Sequence, residues 1–384
     1  MKLVSTQLNP HFSLSDAISA LFSIQFLFLP LPKNTQQIIA QHLHVDHIFF
    51  TNSARSALMI LLKYLDLPKD KKIAAPAYLC SAAVLPFVAM GYEIEWINTD
   101  ENGLINVNDL EQKLDNISAV LCPWIWGQKP DMQRIYAVCS EKNILVIEGC
   151  AHGFDTDFSS CDYKIFSFGR EKIRSCVAGG ALMSKDPINV IDVSNASALW
   201  QIRHALQPFI LEISRMFWSR GGKVLAKICS LLKILPRAVY STEKQGKIMI
   251  PVRQMGQVQQ HILLRMIQKD RSDLIKSNAK YMQKPLNQLH VPHKVMQNMG
   301  LVIINHPQRK EIVADMKRNN IDIRGWDGSP LAPCGTNLEA FGYKKGQCKT
   351  AEKVAQELMI LPIGRQTKRK DIDIMVKVLE KYYS

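Results

Sequence analysis

Three histidines lie close together early in the chain, at His42, His44 and His47. An HxHxxH run invites a metal ion, since imidazole is a common metal ligand. Here it reads as the end of a helix leading into a strand, and no metal site is expected. The nine cysteines are odd in number, with no CxxC pair and no regular spacing. They read as reduced thiols rather than as a disulfide framework or a zinc site. A different chemistry is open to Ala54-Arg55-Ser56, which falls where a helix begins. The first backbone N–H groups of a helix are unbonded and carry the positive end of its dipole, so they favour a phosphate. Arg55 can add a bidentate contact or point to solvent, and the contact is the preferred reading. Neither GxGxxG nor GxxxxGK[ST] occurs, so Rossmann and P-loop sites lack their phosphate loop.

A scaffold must hold such a turn. The chain has 384 residues, 47% hydrophobic and 21% charged, an ordinary balance for a globular protein of two domains and not for a disordered one. From about residue 46, short apolar runs alternate with helical periodicity, the mark of βαβ units. HIFFT (47–51), IAAP (73–76), EIEWI (93–97), AVLCP (119–123), ILVIE (144–148), YKIFSF (163–168) and GALMS (180–184) read as strands. Helices are expected over Ser53–Leu65, up to Met90, over Val107–Leu114 and over Asp131–Ser140. The fold class is α/β. After about residue 255 a long helix should run to Lys280, and a smaller α/β domain should end in a helix at Lys368–Tyr382. The expected domains are 1–255 and 256–384, with an insert at about 190–250. The apolar run Leu21–Pro32 is too short to span a bilayer and has weak signal-peptide flanks, so it reads as a buried helix and turn.

Several motifs follow one another in a recognisable order: NSARSAL (52–58), APAYLCSAAV (75–84), CPWIWGQKPDM (122–132), VIEGCAHG (146–153), DYKIFSFGREK (162–172) with GGAL (179–182), and FGYKKGQCKTAEKVAQELMILPI (341–363). Together they resemble the DegT/DnrJ/StrS sugar aminotransferases over nearly the whole chain. The resemblance implies the type I fold of pyridoxal phosphate (PLP) enzymes, with a mixed, mostly parallel seven-stranded sheet and a smaller C-terminal domain. It puts Lys172 at the lysine that binds the cofactor aldehyde and later moves protons at the substrate carbon. Ser167 matches the hydroxyl that bonds the cofactor phosphate, and Ala54, Arg55 and Ser56 match the phosphate turn. Cys80 stands where many members stack Phe or Trp on the ring, and Tyr78 either supplies an aromatic face instead or packs in the core. His152 matches the Gln/His position against the ring, the alternative being a hydrogen-bonded core histidine.

The chain departs from the family at Gly149, where members carry the aspartate that pairs with the pyridine nitrogen. Glu148 is turned to the other face by strand alternation, and Asp155 and Asp157 are neighbours in sequence only. The resemblance implies transfer of an amino group from an amino acid, glutamate first, to a nucleotide-linked keto-sugar in glycan or secondary-metabolite synthesis. Gly149 keeps a second reading open, a catalytically altered PLP-fold protein serving as a binding or scaffold subunit. Family dehydratases carry histidine in place of the lysine, so Lys172 argues against dehydration. A homodimer is implied, although the family's N-x-R-M loop is reduced here to Val252-Arg253-Gln254-Met255.

The formal charge is +14, and residues 200–250 hold nine Lys/Arg against two Glu. Anionic partners are therefore expected, but no nucleic-acid motif accompanies the charge. Val224, Leu225, Ile228, Leu231, Leu232 and Leu235 fall on one helical face, with Lys223 and Lys227 on another. Residues 208–235 therefore read either as an interfacial helix pair or as packing for the protein's own surfaces. The expected location is cytoplasmic, with peripheral contact at the inner face of the membrane.

Overall fold

The computed structural model describes residues 2–5, 11–172, 174–188, 193–249, 251–269, 272–323, 325–326 and 328–383. A two-residue strand β1 (Val4–Ser5) precedes helices α1 (Leu14–Phe22) and α2 (Thr35–Leu43). The alternating region then gives β2 (His47–Thr51), α3 (Ala54–Leu65), β3 (Lys72–Pro76), β4 (Leu79–Cys80), α4 (Ser81–Ala89) and β5 (Ile94–Ile97). It continues with α5 (Val107–Glu111), β6 (Ile117–Pro123), α6 (Met132–Ser140), β7 (Leu145–Cys150), β8 (Tyr163–Ser167) and β9 (Gly180–Ser184).

Seven of these strands form one sheet in the order β2-β9-β8-β7-β6-β3-β5. The run from β5 to β8 is parallel, and β9 is antiparallel to both of its neighbours. Strand β6 is buried at every position, as a continuous apolar run must be when helices cover both faces. Register brings functional positions to one edge: Pro123 pairs with Gly149, and Gly180 pairs with both Thr51 and Ser167. Loops leaving the carboxyl ends of parallel strands are where α/β proteins place their sites.

Beyond β9 come α7 (Ala198–Met216) and α8 (Gly222–Leu231). The helical insert thus begins before residue 208, and Pro208 lies inside α7. Gly221 adopts a φ of 97° between the two helices. A Cβ on Gly222 would sit 2.0 Å from the Ser214 carbonyl oxygen, so only glycine lets α8 fold back this closely.

The expected long helix to Lys280 is two helices, α9 (Gln257–Ile267) and α10 (Ser272–Gln288). Their apolar faces enter different cores. Val258, Ile262 and Leu263 pack with the N-terminal helices, whereas Ala279, Met282 and Leu286 pack in the C-terminal core. The chain finishes with β10 (His293–Met296), β11 (Leu301–Asn305), α11 (Arg309–Arg318), β12 (Ile321–Asp322), β13 (Leu331–Ala332), α12 (Lys349–Glu357), β14 (Leu358–Pro362) and α13 (Arg369–Leu379). Strands β10, β11 and β14 form an antiparallel sheet, β12 pairs with β1, and β13 with β4.

The run at 21–32 does fold as a helix end and turn, but it is not buried. Phe22 and Phe28 are 70% and 86% exposed. Within it only Ser23 is fully buried; Ile24 and Leu27 are partly buried against the core and Phe26 packs on the His261 ring, while Phe22, Phe28 and Leu29 stay exposed.

Candidate active site

Helix α3 starts at the sheet edge because Ser53 caps it, its side-chain oxygen accepting the Ser56 N–H at 3.1 Å. Ser56 is committed elsewhere: its Oγ donates to Asn52 Oδ1 at 2.6 Å, and it does not line the cavity. The cavity wall at the start of α3 is therefore made by Ser53, Ala54 and Arg55, with Asn52 beside them. The backbone N–H groups of Ala54 and Arg55 have no protein acceptor among the described residues. Gly180 presses against them from β9, where a Cβ would come 2.3 Å from the Ala54 nitrogen.

One cavity of about 810 Å³ brings together Ala54, Arg55, Cys80, His152, Ser167 and Lys172. Lys172 sits in the loop after β8, with Nζ 2.9 Å from His152 Nε2. The other ring nitrogen, His152 Nδ1, accepts the Trp126 backbone N–H at 3.2 Å. Trp126 stacks on the imidazole with ring centres 4.9 Å apart and an interplanar angle of 15°. Trp326 closes the cluster, 4.9 Å from Trp126. Burial lowers the Lys172 pKa, with smaller opposing effects from Glu171 and Cys80. Burial, reinforced by Lys172, pulls His152 well below the usual imidazole range. Burial also pushes the Cys80 thiol up, so it is no thiolate nucleophile.

Tyr78 is a packed core residue. Its hydroxyl accepts from Trp126 Nε1 at 3.2 Å, and its ring lies 4.7 Å from Trp326. Gly149 lines the cavity and offers no carboxylate. Glu148 faces the opposite side of the sheet, accepting from Trp124 Nε1 at 2.6 Å and pairing with buried Lys164. Asp155 pairs with Lys129 and lies 3.9 Å from Lys164, while Asp157 bonds Ser159; neither lines the cavity.

The segment after α8 lines the cavity and is tied to the start of α3. Arg55 Nη1 pairs with Glu243 Oε2 at 2.6 Å, and Nη2 donates to the Ala238 carbonyl at 2.9 Å. Lys244 Nζ donates to the Cys334 carbonyl at 2.6 Å. From α7, Trp200 and His204 also line the cavity. His204 Nδ1 donates to the Trp200 carbonyl at 2.7 Å, and burial drops its pKa to about 4. The Val252–Met255 segment runs along β2 of its own chain, Arg253 O accepting the Asn52 N–H at 2.9 Å. Sequence reading missed Asn52, Trp326 and His204 as cavity residues. Asn52 and Trp126 did stand inside motifs already picked out, whereas Trp326 and His204 carried no local signal.

A half-buried lysine and a helix N-terminus facing one cavity, at the carboxyl edge of this sheet, are the architecture of a PLP-dependent transferase. The chain belongs to the DegT/DnrJ/EryC1/StrS aminotransferase family, whose model matches residues 31–194 and 250–380. Residues 195–249, the insert, stand outside that match. It is similar to GDP-perosamine synthase of Escherichia coli O157:H7, 26% identical over 155 residues, 38% of this chain and 43% of that protein. The Vibrio cholerae GDP-perosamine synthase is 26% identical over 161 residues, 40% and 44% of the two chains. The match thus spans less than half of either curated relative. Among solved structures, the putative sugar aminotransferase Spr1654 of Streptococcus pneumoniae in its PMP form superposes with a TM-score of 0.72 at 14% identity, covering 100% of this chain and 99% of that one. The family's cofactor, PLP, fits the cavity at two ends: Ser53, Ser167 and the backbone N–H groups of Ala54 and Arg55 suit its phosphate, and Lys172 its aldehyde. The Arg55 guanidinium, expected to reach the phosphate, is instead engaged by Glu243 and the Ala238 carbonyl. At Gly149 the wall is bare.

Proposed function

We propose that this protein moves an amino group from an amino acid, glutamate first, to the keto group of a nucleotide-linked sugar in glycan or secondary-metabolite synthesis. It does so as a cytoplasmic homodimer. One observation carries the reading: the half-buried Lys172 and the open N-terminus of α3 share a single cavity. When bound, PLP supplies an aldehyde that carries the amino group and delocalises the electrons left on proton removal. The chain's own groups do the rest. Lys172 would hold the aldehyde and would move the proton at the substrate carbon, and its lowered pKa favours the free amine that both tasks need. His152, kept neutral and clamped by Trp126, offers a flat face to the cofactor ring. The nucleotide-sugar acceptor rests on the names of the relatives and on a net charge of +14, which suits a diphosphate.

The test has two parts. Purified protein with PLP should show a visible absorption band that Lys172→Ala abolishes. With glutamate and a panel of nucleotide-linked keto-sugars, mass spectrometry should find the amino-sugar. A band without any amino product from any donor would favour the second reading, which Gly149 supports: a PLP-fold binding or scaffold subunit.

A further inference from the structure

The insert carries a surface that the chemistry above does not use. Between Glu212 and Glu243 the chain has no acidic residue and six Lys/Arg. Arg215 is buried against Glu212. The other five, Arg220, Lys223, Lys227, Lys233 and Arg237, are exposed and have no carboxylate partner among the described residues.

On α8 and the residue that caps it, the apolar side chains Val224, Leu225, Ile228, Leu231 and Leu232 all face outward, the last two 70% and 67% exposed. At 3.6 residues per turn these five cover an arc of about 120°. Lys223 and Lys227 border it on one side. The opposite face of α8 is already anchored, with Cys229 packing against Leu211 and Leu235. The arc is therefore not held in reserve for this chain's own core, and a contiguous exposed apolar patch marks an interaction surface. A second copy is a poor occupant, because two such faces would set unpaired cations against each other. An anionic bilayer satisfies both halves, with apolar groups entering the acyl boundary and lysines meeting the headgroups. Among the described residues no helix is long and apolar enough to cross a membrane, so α8 would lie in the interface.

We propose that the outer face of α8 docks this protein on an anionic membrane surface. Ala226 and Ser230 of the same helix line the catalytic cavity. Docking therefore sets the bilayer about one helix diameter, roughly 10 Å, from the site.

Full-length protein is sedimented with vesicles of phosphatidylcholine alone or mixed with phosphatidylglycerol, at low and high salt. Binding is expected to the mixed vesicles at low salt, and to fall about tenfold or more without the anionic lipid or with salt. Leu231→Ser with Leu232→Ser, and separately Lys223→Gln with Lys227→Gln, should each weaken it about tenfold. Circular dichroism and the Lys172-dependent absorption band confirm that the variants are folded. The proposal is overturned by no binding at low salt, or by binding that neither double variant changes. It is also overturned if the leucine variant splits an oligomer while vesicles bind neither protein, which assigns the face to a second copy.

Discussion

A carboxylate placed at Gly149 probes how the cavity wall was built. A Cβ there would lie 3.1 Å from Cα and 3.3 Å from Cβ of Pro123, its partner across β6 and β7. The strand pair must give by a few tenths of an ångström, and overpacking of this kind costs about 1–3 kcal/mol. Gly149→Ala isolates that contact. Gly149→Asp adds a carboxylate to a wall that includes Leu121, Pro123 and Ile165, so burial raises its pKa and costs further stability without cofactor. With PLP bound, a charged hydrogen bond to the ring nitrogen returns about 1.5–3 kcal/mol, or roughly ten- to a hundredfold in cofactor affinity. The assay is thermal unfolding with and without PLP. Without it, both variants should melt below wild type, Asp lowest, by about 2–4 °C per kcal/mol. With it, the Asp variant should gain more than wild type does. If Ala melts with wild type, the wall is looser than the geometry says. If Asp gains no more than Ala, position 149 does not face the ring nitrogen, and the bare wall is no defect in transamination.

Two further substitutions test the insert. Arg55→Ala strands the fully buried Glu243, whose Oε1 already lacks a partner among the described residues, and should cost about 3–5 kcal/mol in denaturant unfolding; adding Glu243→Gln should recover part of this, and a cost below about 1 kcal/mol would show the ion pair to be incidental. His204, with a pKa of about 4 against an ordinary 6.5, stays neutral in the folded chain while the unfolded chain takes up its proton. Stability from this group is therefore complete above pH 6.5 and lost as pH falls toward 4, by up to about 3 kcal/mol. His204→Gln should flatten that part of the stability–pH curve, and an unchanged slope would contradict the burial argument.

The sheet was legible in the sequence because its strands are short apolar runs between helical periods, and β6, apolar almost throughout, could be little else. Lys172 and Ser167 were picked out through motif order, since a lone loop lysine has no signature of its own, and both line the one cavity. Periodicity failed where it is blind to which core receives a face. Thus α9 and α10 read as one helix although they bury into different clusters, and the run at 21–32 read as buried although Phe22, Phe28 and Leu29 face out and Ile24 and Leu27 are only partly covered. Ser56 was preferred over Ser53 because a cap and the residue it caps look alike in sequence; only the hydrogen bond to Asn52 separates them. The same blindness hid the tie between Arg55 and Glu243, 188 positions apart.

The protonation state of the Lys172 amine follows from hydrogen bonds two links away. The Trp126 backbone can only donate, so His152 Nδ1 must carry a lone pair. Burial keeps the imidazole neutral, which puts its one proton on Nε2. The 2.9 Å contact is then an N–H donation from Nε2 to Lys172 Nζ, and an ammonium there would face that proton with protons of its own. Burial of Lys172 acts in the same direction by disfavouring the charged form. Both effects bias the lysine, before any cofactor arrives, toward the free amine, the form that can attack an aldehyde. The residue that sets this state is Trp126, through its backbone alone, since its indole N–H is engaged with Tyr78.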